Sequence, residues 1–280
     1  MGHGRAAAEP RTRLPDNRPV RSVDLFDWAA LAATTAGAAL LYSLTGFGFA
    51  ILAAPLFLLF VDPPQAVQLV IIISAALSVT VLPGLWRAIA PGLLLRLGLG
   101  CLAGLPLGLA AFRRADPTLV RLAVGTTILA FAALVAWLRR RSGFPAGPGR
   151  GSRFGMSPGR DFVTGAVSGM ATALVGMAGP PVVIYLLLAR APPRIVRATL
   201  LSFFALAYAA TLASHAATVG IPARTWFAAG ALIPFAFLGG LAGRPLGDRL
   251  DANTFAVLSI LLLAAAGLYT LAAAAGLTTR

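Results

Sequence analysis

Thr45-Gly46-Phe47-Gly48-Phe49-Ala50 interrupts an apolar run that is otherwise uniform: from Trp28 to Val61 no residue is charged. At 1.5 Å rise per residue that run would make a helix of roughly 51 Å, whereas a hydrocarbon core is about 30 Å thick. One straight helix does not fit. Glycine weakens a helix and supplies the unusual dihedrals of a break. A second uncharged run, Phe162–Ala189, carries Val175-Gly176-Met177-Ala178-Gly179-Pro180-Pro181, where two successive prolines remove two backbone donors. Both runs are expected to be broken helices, with the two breaks facing each other at a substrate site.

The rest of the chain sets these runs in a membrane. Of 280 residues 58% are hydrophobic and 11% charged, with a mean hydropathy of +0.84; a soluble domain carries about 25% charged residues. The expected class is an all-α polytopic integral membrane protein. The net charge of +14 comes from arginine alone. A basic balance can signal nucleic-acid binding, but these arginines punctuate apolar runs, the pattern of loops held on the cytoplasmic side. The expected partners are therefore a lipid bilayer and a small anion, with no nucleic acid and with oligomerisation left open.

Cofactor chemistry is not indicated. The single cysteine, Cys101, sits in an apolar run, and His3 and His215 lack neighbours at metal-ligand spacing. With no lysine, no Gly-x-x-x-x-Gly-Lys phosphate loop exists. Gly165-Ala166-Val167-Ser168-Gly169 is no nucleophile turn of a serine hydrolase, and His215 has no orienting carboxylate. An enzyme is not expected, nor a metal or a cofactor.

Along the chain, residues 1–24 read as a basic, disordered tail and 25–138 as a first transmembrane repeat. Residues 139–160 read as a Gly/Pro-rich basic linker, 161–273 as a second repeat and 274–280 as a short tail. The halves echo each other. Gly46 and Gly176 are separated by the same interval as Pro63 and Pro193, and Gly104-Leu105-Pro106-Leu107-Gly108 is matched by Gly243-Arg244-Pro245-Leu246-Gly247. Gly98, Gly100, Gly104 and Gly108 recur at the spacing that lets helix backbones approach closely. About eight spans are expected, four per half, with Pro91-Gly92 and Arg96 in a loop before the third. Counting arginines then favours both termini and the linker in the cytoplasm. If each broken run is a hairpin instead, the halves become inverted.

A break inside a membrane leaves backbone groups that lipid cannot satisfy, and half-helix N-termini form ready anion sites. Gly46, Phe47, Gly48, Gly176, Gly179, Pro180 and Pro181 are the substrate-site candidates on that reasoning, against the alternative that these glycines only permit close packing. Ser74 and Ser202, in the spans after the breaks, could bond an oxyanion, as could Ser78, Thr80, Tyr208 and Thr211, or each could bond its own helix. His215, an ionisable residue inside a span, is a candidate for proton coupling; the alternative is a ring bonded to a carbonyl near the helix end.

Gly46-Phe47-Gly48-Phe49-Ala50-Ile51-Leu52-Ala53-Ala54-Pro55-Leu56 and Gly176-Met177-Ala178-Gly179-Pro180-Pro181-Val182-Val183-Ile184-Tyr185 resemble the paired signatures of the TauE/SafE family, sulfite-exporter-like bacterial permeases. The similarity spans residues 30–273. Phe49-Ala50 stand where many members continue with two glycines. The resemblance implies an inner-membrane permease for sulfite, sulfonate or related organosulfur anions, driven by an ion gradient. Alternating access of the two repeats is the expected mechanism. A passive anion channel and a membrane scaffold or assembly factor without a transported substrate are the alternatives.

Overall fold

The computed structural model describes residues 24–45, 48–81, 89–142, 157–188, 193–247, 267–268 and 271–272. Gly46, Phe47, Trp86, Arg87, the N-terminal tail through residue 23, most of the linker and nearly all of the last expected span lie outside the described residues. Among those described, the chain is helical throughout. The helices are α1 (Leu25–Thr45), α2 (Phe49–Phe57), α3 (Pro63–Val81), α4 (Pro91–Arg114), α5 (Pro117–Ser142), α6 (Pro158–Val175), α7 (Gly179–Leu188), α8 (Pro193–Thr218) and α9 (Ala223–Gly247). Five of them contain stretches long and apolar enough to cross a membrane: Leu25–Leu44, Pro91–Arg114, Pro117–Leu134, Ala198–Thr218 and Ala223–Gly243.

Proline opens α3, α4, α5, α6 and α8, because the first helical residue has no intrahelical use for its N–H and proline's φ is already helical. The start of α5 is also capped, the Leu119 N–H donating to Asp116 Oδ1 at 2.6 Å. The same logic corrects one sequence expectation. Pro91-Gly92 starts α4 instead of separating spans, so Arg96 lies inside that helix and not in a loop.

Glycine sets the closest helix pairs. A Cβ on Gly100, Gly104 or Gly108 of α4 would fall 2.0, 2.0 and 2.3 Å from the carbonyl oxygens of Phe162, Ala166 and Met170 of α6. Gly165 and Gly169 of α6 press back on the Leu97 and Cys101 carbonyls. Only hydrogen fits there, and the backbones touch. Gly98 faces elsewhere, toward Leu206 of α8. Gly239 and Gly243 of α9 pack in the same way on the Ala36 and Leu40 carbonyls of α1.

These contacts also give direction. Residue numbers rise together along α4 and α6, and along α1 and α9. They rise together along α3 and α9 too, where Gln68 Nε2 donates to the Gly220 carbonyl at 2.9 Å and Gly240 faces Leu77. Along α4 and α8, Gly98 meets Leu206 and Phe112 meets His215. Since only a short turn joins α8 to α9, α1, α3 and α9 run one way and α4, α6 and α8 the other. The starts of α1 and α6 therefore lie at opposite ends of the bundle.

Each broken run folds back on itself. Tyr185, near the end of α7, donates its hydroxyl to Asp161, in the first turn of α6. Trp28 and Leu31, at the start of α1, share a pocket with Leu58–Val61, just after α2. The two runs are hairpins of one long and one short helix. The contacts thus fit a hairpin in each broken run, not one kinked span.

Candidate functional site

Positive-φ glycines make both breaks. Gly48 caps the start of α2 at φ 129° and Gly176 caps the end of α6 at φ 75°, backbone that residues with a Cβ rarely adopt. The breaks converge. Gly48, Phe49, Ala50 and Ile51 from the first and Gly179 from the second line one cleft, closed by Tyr42 of α1, Ser74 of α3 and Phe204 and Tyr208 of α8. Its free space is about 10 Å³, room for about one water. The cleft is narrow.

Donors dominate its polar lining. The first α2 bond runs from the Leu52 N–H to the Gly48 carbonyl at 3.1 Å, so the N–H groups of Phe49, Ala50 and Ile51 precede the helical ladder. In α7 the prolines leave Gly179 as the first-turn N–H that lines the cleft. Ser74 Oγ, buried beside the Tyr208 hydroxyl, meets no partner in hydrogen-bonding geometry. Tyr42 and Ser78 share a hydrogen bond of 3.3 Å. Among the described residues no charged side chain lines the cleft. Any charge placed there is met by hydroxyls and by helix N-termini, worth roughly +0.5 of an elementary charge each.

The carbonyls freed by the second break are satisfied within the protein. Ser168 Oγ donates to the Ala178 carbonyl, Tyr208 OH to the Gly176 carbonyl at 3.4 Å, and His215 Nε2 meets the Ala173 carbonyl at 3.0 Å. This contact makes Nε2 the protonated ring nitrogen and leaves Nδ1 without a partner.

The sequence-selected residues therefore separate. Gly48, Gly179 and Ser74 reach the cleft. Gly176 shapes the break behind it. Pro180 and Pro181 face away, into an apolar pocket between α5, α6 and α7 with Thr126, Phe131 and Ile184. Ser202 is buried with an unpartnered hydroxyl but is absent from the cleft lining, and His215 bonds a carbonyl of α6 with its ring against Phe112. Gly46 and Phe47 lie outside the described residues. Tyr42 was not legible as a site residue, because its approach to Ser78 across α1 and α3 is purely tertiary.

A second cavity, of about 610 Å³, opens at the end where α1 and α9 begin. It is lined by Trp28, Asp62, Gln65, Leu69, Arg121 and Arg224 among others.

Paired helix breaks closing a small donor-rich cleft inside an apolar helical bundle define an integral membrane protein of transporter type. The chain matches the sulfite exporter TauE/SafE family over residues 30–270, and it belongs to that family. No curated protein and no solved structure matches it.

Proposed function

We propose that this protein is a secondary transporter of a small oxyanion of the sulfite or sulfonate type, working by alternating access. The observation that carries the reading is the meeting of both helix breaks at one narrow, donor-lined cleft with no charged side chain among the described residues. Two helix N-termini together supply roughly one positive charge, which suits a monoanion such as hydrogensulfite or an alkylsulfonate. Backbone N–H groups of Phe49, Ala50 and Ile51 and the Ser74 hydroxyl are the donors assigned to it, with the Tyr208 hydroxyl, which already donates to the Gly176 carbonyl, bordering the cleft.

Closure favours a carrier over a channel. A space of about 10 Å³ passes nothing larger than water, so helices must move for an anion to enter or leave. Arg121 and Arg224 in the larger cavity attract anions to one face. Its lining residue Leu69 and the cleft residue Ser74 stand about 7.5 Å apart along α3, and buried Val70 and Ile73 lie between them in sequence.

The two hairpins are proposed to head two inverted repeats. In support, α1 and α6 end, α2 and α7 start, and α3 and α8 start at one common interval. The pairs α4–α6 and α1–α9 are exchanged by the same operation, which also brings α3 onto α8. The packing register differs from the sequence match by one helical turn. Gly104 and Gly239, not Gly104 and Gly243, occupy equivalent places, against Ala166 and Ala36. The ends carrying the N-terminal tail and the linker then fall on opposite membrane faces, with the arginine-richer linker face inward in a bacterial inner membrane.

Uptake of radiolabelled sulfite and methanesulfonate into proteoliposomes tests the reading. Saturable uptake by wild-type protein is expected. Loss of uptake is expected for Gly179→Leu, whose added Cβ is in ordinary contact with Phe204 at 3.5 Å but whose remaining carbons fill the cleft. Wild-type protein that moves neither anion, or Gly179→Leu that transports normally, refutes it.

A further inference from the structure

Among the described residues Asp161 is the one acidic side chain that is buried, and the anion cleft makes no use of it. One carboxylate oxygen accepts from Arg96 Nε of α4 at 2.6 Å and the other from the Tyr185 hydroxyl of α7. The Asp161 side chain is 0% exposed and that of Arg96 37%. The pair is therefore sealed on the carboxylate side and reaches water through the guanidinium. Asp161 lies in the first turn of α6, and a buried ionisable group in a membrane bundle is a candidate for function.

What sets this group apart is the helix it holds. α7 runs from Gly179 at the anion cleft to Tyr185 at the carboxylate, about 9 Å along one short helix. While Asp161 is ionised, Tyr185 makes a charge-assisted bond and Arg96 an ion pair. When Asp161 takes up a proton, the ion pair is lost and Arg96 turns to the water it already reaches. The tyrosine bond falls to the strength of a neutral one, about half. The far end of the helix that lines the cleft is thus fastened or loosened by one proton.

We infer that Asp161 is a proton-binding site that couples proton uptake to the state of the anion cleft, with Arg96 and Tyr185 as positioning residues that transmit its charge to α7. This rests on the transporter reading above. Among the described residues the charged and titratable neighbours are few. Arg160 adjoins Asp161 on α6, and Arg96 and Tyr185 come from α4 and α7. Tyr208 and His215 of α8 bond further along, at Gly176 and Ala173. α3 carries no titratable side chain, and Arg121 of α5 lines the cavity at the opposite end.

Proteoliposomes loaded with sulfite separate coupling from binding. Two rates are measured: exchange of internal for external radiolabelled sulfite without a gradient, and net accumulation under a proton gradient of either sign. Wild-type protein is expected to do both. Asp161→Asn is expected to keep exchange and to lose gradient-driven accumulation by roughly 5- to 150-fold, the span of ordinary coupling free energies. Asp161→Glu is expected to restore part of it. Tyr185→Phe, which removes only a hydroxyl, is expected to move the pH of half-maximal accumulation toward alkaline, because the ionised carboxylate loses a donor. Wild-type accumulation by Asp161→Asn, or an unmoved pH profile in Tyr185→Phe, overturns the inference. So does a folded, sulfite-binding Asp161→Asn that loses exchange and accumulation alike. Absent exchange in wild-type protein refutes the transporter reading instead.

Discussion

Ser74→Ala separates a ligand-binding hydroxyl from a structural one by the sign of its effect on stability. Ser74 is 2% exposed, lines the cleft beside the Tyr208 hydroxyl, and its Oγ has no partner in hydrogen-bonding geometry among the described residues. A buried hydroxyl left unpaired costs about 1–3 kcal/mol. Removing it from the empty protein relieves that penalty and forfeits only one small atom's packing, so the variant is expected to be as stable as wild type or up to about 1 kcal/mol more stable. Binding responds in the opposite direction. A hydrogen bond to a charged group is worth about 1.5–3 kcal/mol, so sulfite affinity should fall about 10- to 150-fold. Thermal unfolding in detergent, with and without sulfite, reads both quantities, since a bound anion stabilises only the folded protein. The wild-type shift should exceed the mutant shift at equal sulfite while the ligand-free midpoints match or favour the mutant. A ligand-free loss of more than about 1 kcal/mol with an unchanged sulfite shift would mean that Ser74 is a bonded structural hydroxyl.

Two further outcomes follow from packing and from the second break. Gly104→Ala places a Cβ 2.0 Å from the Ala166 carbonyl, so α4 and α6 must separate; a loss of about 1–3 kcal/mol is expected. Gly37→Ala, with nothing within 4 Å, is the matched control that should unfold with wild type, and equal midpoints for all three would discount the glycine seam. His215→Leu leaves the Ala173 carbonyl without its ring donor, which should cost about 1–3 kcal/mol of stability while the pH dependence of the remaining uptake keeps its wild-type shape. A flattened profile would return the proton-coupling role to His215.

Several features of the site could be read from residue order because they are local. Gly48 and Gly176 break helices through their own backbone angles, and apolar runs declare a membrane class whatever surrounds them. Others were hidden. Asp161 follows Arg160 at the very start of the second repeat and carries no motif, and Arg96 reads as a topology charge after Pro91. That they form a buried pair depends on the glycine seam bringing α4 alongside α6. Pro180 and Pro181 shape the break, but on the face turned from the cleft.

Residue order alone determined that this chain is a bundle of membrane helices interrupted at two glycine breaks, since composition, run length and glycine placement act within each segment. Tertiary structure decided that each broken run doubles back, that α1 and α6 run in opposite senses, and that the two breaks share one cleft. The physical reason is that a glycine break permits either a kink or a reversal at similar local cost. Only tertiary structure selects the reversal: Tyr185 bonds Asp161, and the start of α1 lines one cavity with the segment after α2.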